Sequence, residues 1–248
     1  MTLSDFFAQN PRAALGFSGG VDSAYLLYAA VSCGADVRPY YIKTAFQPQF
    51  ELDDARRLCD GLSVGLTVLE TDILACGTVA ANGADRCYHC KRALFSLLAE
   101  RAAQDGYSLL LDGTNASDDA TDRPGMRALR ELQVRSPLRE CGLHKPEIRR
   151  LSKEAGLFTW DKPAYACLAT RIPTGEALTA QKLRTTEEAE AFLFRLGLRD
   201  FRVRFLSGAA RLQVPEDQLP LVLANRESIV NELRSRYGAV LLDLEVRP

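Results

Sequence analysis

The feature that most constrains the fold is a short glycine-containing segment near the amino terminus. It follows an apolar run at residues 13–17, which predicts a buried strand, and it precedes residues 22–31, whose apolar side chains recur at helical spacing. Glycine lets the backbone turn tightly, so several N–H groups and the start of a helix can converge on one anion. The sequence therefore predicts a phosphate-binding turn between a strand and a helix. The segment reads Ser18-Gly19-Gly20-Val21-Asp22-Ser23.

The side chains of this segment predict how a polyphosphate would be held. Ser18 and Ser23 add hydroxyl donors, whereas Asp22 would repel a bare phosphate and is predicted to hold a Mg²⁺ that bridges phosphates. No lysine follows the second glycine, so the segment differs from the G-x-x-x-x-G-K-[ST] loop. It resembles instead the pyrophosphate-binding motif S-G-G-x-D-S of the PP-loop family. That resemblance implies an enzyme that cleaves ATP to AMP and pyrophosphate, with Asp22 in a catalytic role.

Strands and helices alternate in the amino-terminal part of the chain. Further strands are predicted at residues 37–44, 66–69 and 109–111, and helices at residues 51–60, 85–104 and 147–155. Alternation indicates an α/β fold with a parallel sheet covered on both faces, here Rossmann-like and, by the resemblance, adenine nucleotide alpha hydrolase-like. Ligands bind beyond the carboxyl ends of such strands, so we assign Lys43, Gly113 and Asn115 to the ATP site. The polar residues 118–125 are predicted to form a mobile loop over it.

A second, smaller domain is predicted after residues 160–163, where proline and glycine punctuate the chain and the pattern changes. A long helix can start after Thr179. Beyond it we predict strands at residues 201–206 and 210–214, a helix at residues 218–237 and a strand at residues 240–244. The chain is thus divided into a PP-loop ATP pyrophosphatase domain, residues 1–165, and a small α+β domain for substrate binding or oligomerisation, residues 166–248.

Composition limits the classes of function. The 248 residues carry 31 Lys plus Arg against 32 Asp plus Glu, a net charge of -1, which does not support long-range attraction to nucleic acid. We see neither an apolar run of membrane-span length nor a secretion signal, so we expect a cytoplasmic protein without a membrane partner. Seven cysteines, an odd number, do not indicate a disulfide framework, and reduced thiols are expected.

Three cysteines lie in sequence contexts that suggest chemistry. Cys87 and Cys90 are three residues apart at the start of a predicted helix, where they share a face, and a helix start stabilises thiolates. This suits metal or cluster ligation and redox work equally, although one C-x-x-C lacks the second pair that a structural zinc site usually shows. Cys167 is flanked by alanines and leucine, as a core residue would be. Lys162 and Arg171 also flank it, and cations favour a thiolate.

Seven segments occur in the order seen in the LarE family of pyridinium-3,5-biscarboxylic acid mononucleotide sulfur transferases, which this chain resembles from about residue 14 to residue 213. They are residues 18–23, 86–91, 112–115, 136–138, 160–163, 166–173 and 202–204. The resemblance implies an adenylating sulfur insertase that makes the thiolated pyridinium precursor of a nickel-pincer nucleotide cofactor, used by lactate racemase-type enzymes. It also implies a homo-oligomer, commonly a hexamer.

The resemblance implies two possible sources of sulfur. In one branch of the family a lone cysteine, matching Cys167, attacks the activated carboxylate and gives up its own sulfur, which leaves dehydroalanine. In the other, three cysteines hold a [4Fe-4S] cluster whose open iron carries an extra sulfide. Because Cys87 and Cys90 are present together with Cys167, we favour the cluster branch, and the sacrificial branch stays open.

A cluster of arginines is the candidate substrate site. Arg202 and Arg204 are two residues apart on a predicted strand and so share a face, where Arg171 could join them around a phosphate or carboxylates. Glu190 matches a family position near that cluster. The resemblance makes the ligand a small pyridinium mononucleotide.

Three other functions fit parts of the same pattern. A tRNA-thiolation enzyme could share the C-x-x-C and the distant cysteine, but it would need a basic groove or an RNA-binding module. A PP-loop amide ligase would leave the three cysteines idle. A non-enzymatic adenine-nucleotide sensor with a structural zinc site would bind nucleotide without releasing pyrophosphate.

Overall fold

The computed structural model describes residues 1–118 and 124–247, and the chain forms two compact units. The first comprises Met1–Ile73 and Asp85–Lys162, and the second comprises Leu74–Ala84 and Pro163–Pro248. Five residues of the loop predicted at 118–125, namely 119–123, lie outside the described part of the chain. The functional division at residues 1–165 and 166–248 stays a prediction.

A parallel sheet forms the centre of the first unit. In the described residues it has four strands in the order β3-β2-β1-β4, and every neighbouring pair is parallel. The strands are β1 (Arg12–Gly16), β2 (Asp36–Lys43), β3 (Thr67–Glu70) and β4 (Leu110–Leu111). The predicted α/β class with a parallel sheet is therefore confirmed.

Helices cover this sheet. In the first unit they are α1 (Leu3–Gln9), α2 (Val21–Ser32), α3 (Gln49–Gly61), α5 (Arg86–Gln104), α6 (Pro124–Glu131), α7 (Pro137–Glu140) and α8 (Lys145–Glu154), with α4 (Gly77–Ala80) falling in the second unit. Side chains of a strand alternate between faces, and both faces of β1 are apolar. Leu15 packs in a core with residues of α2, α3 and α8, whereas Ala14 packs in a separate core with residues of α5.

The order of the strands sets where a ligand can bind. β1 lies between β2 on one side and β4 on the other, so the chain reverses its direction of progress across the sheet beside β1. A crevice opens at such a switch point outside the carboxyl ends of the strands. The segment at residues 17–20 leaves the carboxyl end of β1, and the segment starting at Asp112 leaves the carboxyl end of β4. The two predicted ATP-binding segments therefore meet at this crevice.

The second unit is a small α+β structure, as predicted. Its elements after α4 are α9 (Ala180–Arg195), β5 (Arg202–Leu206), β6 (Ala209–Gln213), α10 (Leu219–Ala224), α11 (Arg226–Arg234) and β7 (Val240–Leu242). β6 pairs antiparallel with β5 and parallel with β7. Leu193 of α9, Val203 of β5 and Leu233 of α11 meet in its core.

Helix boundaries follow from local chemistry at most positions. The hydroxyl of Thr179 accepts a hydrogen bond from the N–H of Lys182, as predicted for an N-cap. Asp85 precedes α5 without such a bond, because its carboxylate pairs with His89 instead. The helix predicted at residues 218–237 is broken at Asn225, whose side chain donates to the carbonyl of Leu221 and ends α10.

Within residues 1–118 and 124–247, none of the helices combines the length and the apolar composition needed to cross a membrane.

Candidate functional site

The loop after β1 has the geometry of an anion cradle. Gly19 has a φ of +71°, in the left-handed region, and a Cβ there would lie 3.2 Å from the carbonyl oxygen of Glu51. The Ser18 and Ser23 hydroxyl oxygens are 3.0 Å apart. α2 begins after Gly20, which has no side chain to cap it, so the N–H groups of its first turn remain for a ligand. The loop can thus present backbone N–H groups and two hydroxyls to one phosphate.

The loop after β4 closes against this cradle. A Cβ on Gly113 would lie 3.0 Å from the backbone nitrogen of Ser23, so a side chain there would require the two segments to shift by a few tenths of an ångström. Asp112 is buried, and its carboxylate accepts hydrogen bonds from the Thr114 hydroxyl and, at 2.6 Å, from the Ser136 hydroxyl. Sequence reasoning grouped residues 112–115 with the loop but did not identify this use of Ser136.

The other predicted ATP-site residues also lie at this edge of the sheet. Lys43 is the last residue of β2, and its amino group donates to the carbonyl of Gln47. Asn115 is buried, and its side-chain oxygen accepts from the N–H of Ser117 at 2.7 Å. Both side chains therefore hold local turns in this structure, and contact with ATP stays a prediction for both.

Asp22 has the chemistry that a magnesium ion requires. Its Oδ2 is 2.6 Å from the Nζ of Lys145, while its buried Oδ1 has no hydrogen-bond partner among the described residues. A buried oxygen without a partner is unusual and is open to a donor or a cation. Mg²⁺ commonly takes one or two carboxylates and completes its shell with water and phosphate oxygens. Asp22 therefore fits the predicted role of holding Mg²⁺ together with a polyphosphate.

Cys87 and Cys90 lie at the start of α5, as predicted, in its first and second turns. Cys87 is exposed, and the guanidinium of Arg86 donates to its sulfur at 3.4 Å. These two cysteines belong to the first compact unit and Cys167 belongs to the second. Across residues 1–118 and 124–247, no three His, Cys, Asp or Glu side chains form a metal-binding group. The iron–sulfur cluster therefore stays a prediction.

Cys167 directly precedes a 3-10 helix, Leu168–Arg171, in the second unit. The N–H and the hydroxyl of Thr170 both donate to the Cys167 carbonyl, at 2.9 and 2.8 Å. Arg171 donates to the carbonyl of Ala166 at 3.1 Å, and Arg204 donates to the carbonyl of Thr170 at 2.7 Å. Arginines thus fix the backbone on both sides of the thiol.

Arg171 and Glu190 form a buried ion pair beneath this turn. Their side chains are 0% and 1% exposed, and two bonds of 2.7 and 3.1 Å join the guanidinium to the carboxylate. Glu190 also accepts from the Tyr165 hydroxyl and from the N–H of Val203. Burial alone would lower the pKa of Arg171, but the hydrogen bonds and charge of Glu190, with the nearby Tyr165 and Cys167, raise it overall. This arginine therefore keeps its charge beside Cys167.

Arg202 and Arg204 extend this cluster. Arg202 is buried and donates to the carbonyls of Phe201 and Ala164, and burial together with the charge of Arg171 lowers its pKa to about 10. Arg204 is half-buried and donates to the side-chain oxygen of Gln213, and burial and the same charge lower its pKa too. The four predicted substrate residues are therefore neighbours. Arg171 and Glu190 bind each other, and substrate contact by any of the four stays a prediction.

A groove at the other end of the sheet is separate from these sites. It has a volume of about 420 Å³ and is lined by Asp36 and Arg38 of β2, together with Tyr107 and residues that follow α2 and α3. Asp36 is the first residue of β2, so the groove lies at the amino ends of the strands. It therefore contains none of the predicted site residues.

Comparison with known proteins gives the family. No family model matches the chain. An uncharacterized protein of Synechocystis sp. is 37% identical over 220 residues, which are 88% of this chain and 81% of the relative. The pyridinium-3,5-bisthiocarboxylic acid mononucleotide synthase of Lactiplantibacillus plantarum is 32% identical over 236 residues, 94% of this chain and 86% of the relative. An uncharacterized protein of Methanocaldococcus jannaschii is 29% identical over 240 residues, 96% and 91% of the two chains. The identity to the synthase and its coverage of both chains place this protein in the LarE family of sulfur transferases.

Proposed function

We propose that this chain is an ATP-dependent sulfur transferase that adenylates a carboxylate of pyridinium-3,5-biscarboxylic acid mononucleotide and inserts sulfur, in the biosynthesis of a nickel-pincer nucleotide cofactor. The observation that carries the proposal is the 32% identity to the synthase over 94% of the chain. The glycine loop at the switch point of the sheet and the unpartnered oxygen of Asp22 support ATP as the source of energy.

The first step is activation of the carboxylate. The substrate carboxylate attacks the α-phosphorus of ATP, a new P–O bond forms, the bond to the β-phosphate breaks, and pyrophosphate leaves into the loop. Backbone N–H groups of the first turn of α2 and the hydroxyls of Ser18 and Ser23 stabilise the charge of the departing pyrophosphate. Asp22 would hold Mg²⁺, which when bound neutralises phosphate charge.

The second step is displacement of AMP by a sulfur nucleophile, which must be a thiolate or a sulfide. If Cys167 is the nucleophile, its sulfur forms a bond to the acyl carbon while AMP leaves. The Cys167 Cβ–S bond then breaks with loss of the α-proton, so that the thiocarboxylate leaves and dehydroalanine remains. The cation of Arg171 favours the Cys167 thiolate. In the alternative that we favour from the sequence, Cys87, Cys90 and Cys167 would hold a [4Fe-4S] cluster, which when bound would supply the sulfide.

One experiment tests the proposal. Purified protein is incubated with Mg-ATP and pyridinium-3,5-biscarboxylic acid mononucleotide, and AMP, pyrophosphate and product mass are measured. In the wild type we expect AMP and pyrophosphate to form in proportion to a thiocarboxylate product. Asp22→Asn should form little AMP or pyrophosphate. Formation of ADP and phosphate, or turnover without any sulfur in the product, would refute it. A gel shift with tRNA separates the tRNA-thiolation alternative, for which binding is the expected result.

The source of sulfur needs its own measurement. Protein purified without oxygen should carry roughly four irons per chain if a [4Fe-4S] cluster is present. Protein that lacks iron and loses the mass of H₂S from Cys167 during turnover would establish the sacrificial route instead. We further propose a cytoplasmic homo-oligomer, and light scattering tests its size, with the mass of a hexamer as the expected result.

A further inference from the structure

The phosphate loop contains no cation of its own. Its residues offer backbone N–H groups, two hydroxyls and the carboxylate of Asp22, and no lysine follows its second glycine. A transferred or departing polyphosphate carries several negative charges, and in the G-x-x-x-x-G-K-[ST] loop a lysine of the loop itself neutralises part of them. A side-chain cation that adds to the charge of Mg²⁺ at this site therefore has to come from elsewhere in the fold.

The structure brings Lys145 to the loop from 123 residues away in sequence. The Nζ of Lys145 lies 2.6 Å from the Oδ2 of Asp22, which is the second residue of α2. The lysine side chain is 30% exposed and Asp22 is 22% exposed, so both face a crevice that solvent and ligands can enter. An ammonium group is therefore already present where the loop would bind phosphate.

The backbone of Lys145 is held firmly at this place. Lys145 is the first residue of α8, and its N–H donates to the hydroxyl of Ser117 at 3.0 Å. The segment after β4 is joined to the residues before α8 by a further bond of 2.8 Å, from the N–H of Ala116 to the carbonyl of Leu143. The backbone of Lys145 is thus fixed to the second of the two loops that form the crevice, and its partly exposed side chain reaches the first.

We propose that Lys145 binds the β- and γ-phosphates of ATP, and then pyrophosphate, as the cation that the glycine loop lacks. This rests on the proposed use of ATP. In the protein without nucleotide Lys145 is paired with Asp22. With Mg-ATP bound, the carboxylate of Asp22 would hold the metal, and the ammonium group of Lys145 leaves that carboxylate for a phosphate oxygen. No bond is made or broken, and Lys145 acts by charge alone.

If Lys145 has only a structural role, its removal should change the affinity for Mg-ATP in the opposite direction. If the lysine only neutralises Asp22, its removal frees a carboxylate for Mg²⁺, and Mg-ATP should bind as well as before or more tightly. If the lysine binds phosphate, its removal should weaken Mg-ATP and pyrophosphate about 10- to 100-fold, the loss expected for a hydrogen bond between charged groups. AMP lacks the β- and γ-phosphates, so its affinity should change less than about threefold under the proposal.

The test is calorimetric titration of Mg-ATP, Mg-pyrophosphate and AMP into the wild type, Lys145→Gln, Lys145→Arg and Lys153→Gln. Lys153 is the matched control because it is a lysine of the same helix, in the last turn, where it lies over the ring of Trp160. We expect selective loss of Mg-ATP and pyrophosphate binding in Lys145→Gln, recovery of most of it in Lys145→Arg, and wild-type binding in Lys153→Gln. Unchanged or tighter Mg-ATP binding in Lys145→Gln would overturn the proposal, as would equal weakening of AMP.

A measurement on the wild type covers the case in which Lys145→Gln does not fold. Acetylation of lysines by an amine-reactive reagent is followed by mass spectrometry with Mg²⁺ alone and with Mg-pyrophosphate. Protection of Lys145 by pyrophosphate, without protection of Lys153, supports the proposal, and an unchanged rate at Lys145 overturns it. Failure of the wild type to bind Mg-ATP would instead refute the proposed function, which keeps the two results apart.

Discussion

Replacement of Glu190 by glutamine should destabilise the second unit severely. The Glu190 carboxylate accepts hydrogen bonds from Arg171 at 2.7 and 3.1 Å, from the Tyr165 hydroxyl at 2.5 Å and from the N–H of Val203 at 2.9 Å. Glutamine removes the charge and turns an NH₂ group toward these donors, so buried Arg171 loses its counter-ion. Breaking a buried ion pair in this way costs about 3–5 kcal/mol of unfolding free energy.

The assay is urea unfolding followed by far-ultraviolet circular dichroism, with Glu188→Gln as the matched control. Glu188 lies on the same helix and pairs with Arg236, but its side chain is 45% exposed. An exposed pair contributes roughly 0–1 kcal/mol, so the control should unfold near the wild-type midpoint. Equal losses in the two variants, or a loss below about 1 kcal/mol for Glu190→Gln, would refute the argument from burial.

A double variant tests the reason for this loss. If the cost comes from the unpaired charge of Arg171, replacing both partners with apolar residues, as in Arg171→Met with Glu190→Leu, should recover part of the stability. Recovery would be incomplete because Tyr165 and Val203 still lose their acceptor. A double variant less stable than Glu190→Gln would show that the pair is net favourable and not only costly to break.

Three more predictions follow from particular contacts. Gly113→Ala should lower the free energy of unfolding by about 1–3 kcal/mol and weaken Mg-ATP binding, because the new Cβ would lie 3.0 Å from the Ser23 nitrogen. Gly65→Ala is the control, since a Cβ at Gly65 meets nothing within 4 Å, and it should change neither the urea unfolding nor the Mg-ATP titration. Cys167→Ser should abolish sulfur transfer while pyrophosphate release in the presence of substrate continues, as measured by product mass and phosphate assay; sulfur-containing product from this variant would exclude both proposed sulfur sources. Burial raises the pKa of Cys59 from 9.0 to about 12, so the folded protein keeps the thiol proton to a higher pH than the unfolded chain does. The contribution of Cys59 to the free energy of unfolding is therefore fully present below about pH 9 and is lost as the pH rises toward 12. Urea unfolding at several alkaline pH values should show that Cys59→Ala loses less unfolding free energy with rising pH than the wild type does, by at most about 1.4 kcal/mol per pH unit. An identical loss in the two proteins would contradict this prediction.

Local patterns were enough to predict the framework of the first unit. The glycine loop and the helix after it lie within a few residues of each other, and their physics is that of a strand, a turn and a helix start. Residues 112–115 could be placed at the same edge because the carboxyl ends of parallel strands share one edge of a sheet. These inferences needed no knowledge of which side chains touch.

The chemistry of the arginine cluster could not be predicted in the same way. Alternation along a strand tells which residues share a face, and it placed Arg202 and Arg204 together correctly. It does not tell whether that face is covered, and Arg202 proves to be only 4% exposed. The pairing of Arg171 with Glu190 joins residues 19 apart through tertiary packing, so a strand pattern could not predict it. Substrate contact by either residue stays a prediction.

The same limit explains why Lys145 was not predicted to belong to the proposed ATP site. A loop without a lysine can be recognised from sequence, but the position that supplies the missing charge depends on how α8 packs against α2 and on the bonds that tie its start to the loop after β4. The net charge of the chain is -1, so a favourable field for a polyphosphate cannot come from the protein as a whole and has to be built locally. Placing the cation on a separate element has a physical consequence, because the charge reaches the loop only when β1, β4 and α8 have all assembled. Phosphate binding is then coupled to folding of the entire first unit, and Mg-ATP should raise its unfolding temperature by mass action in the wild type more than in Lys145→Gln.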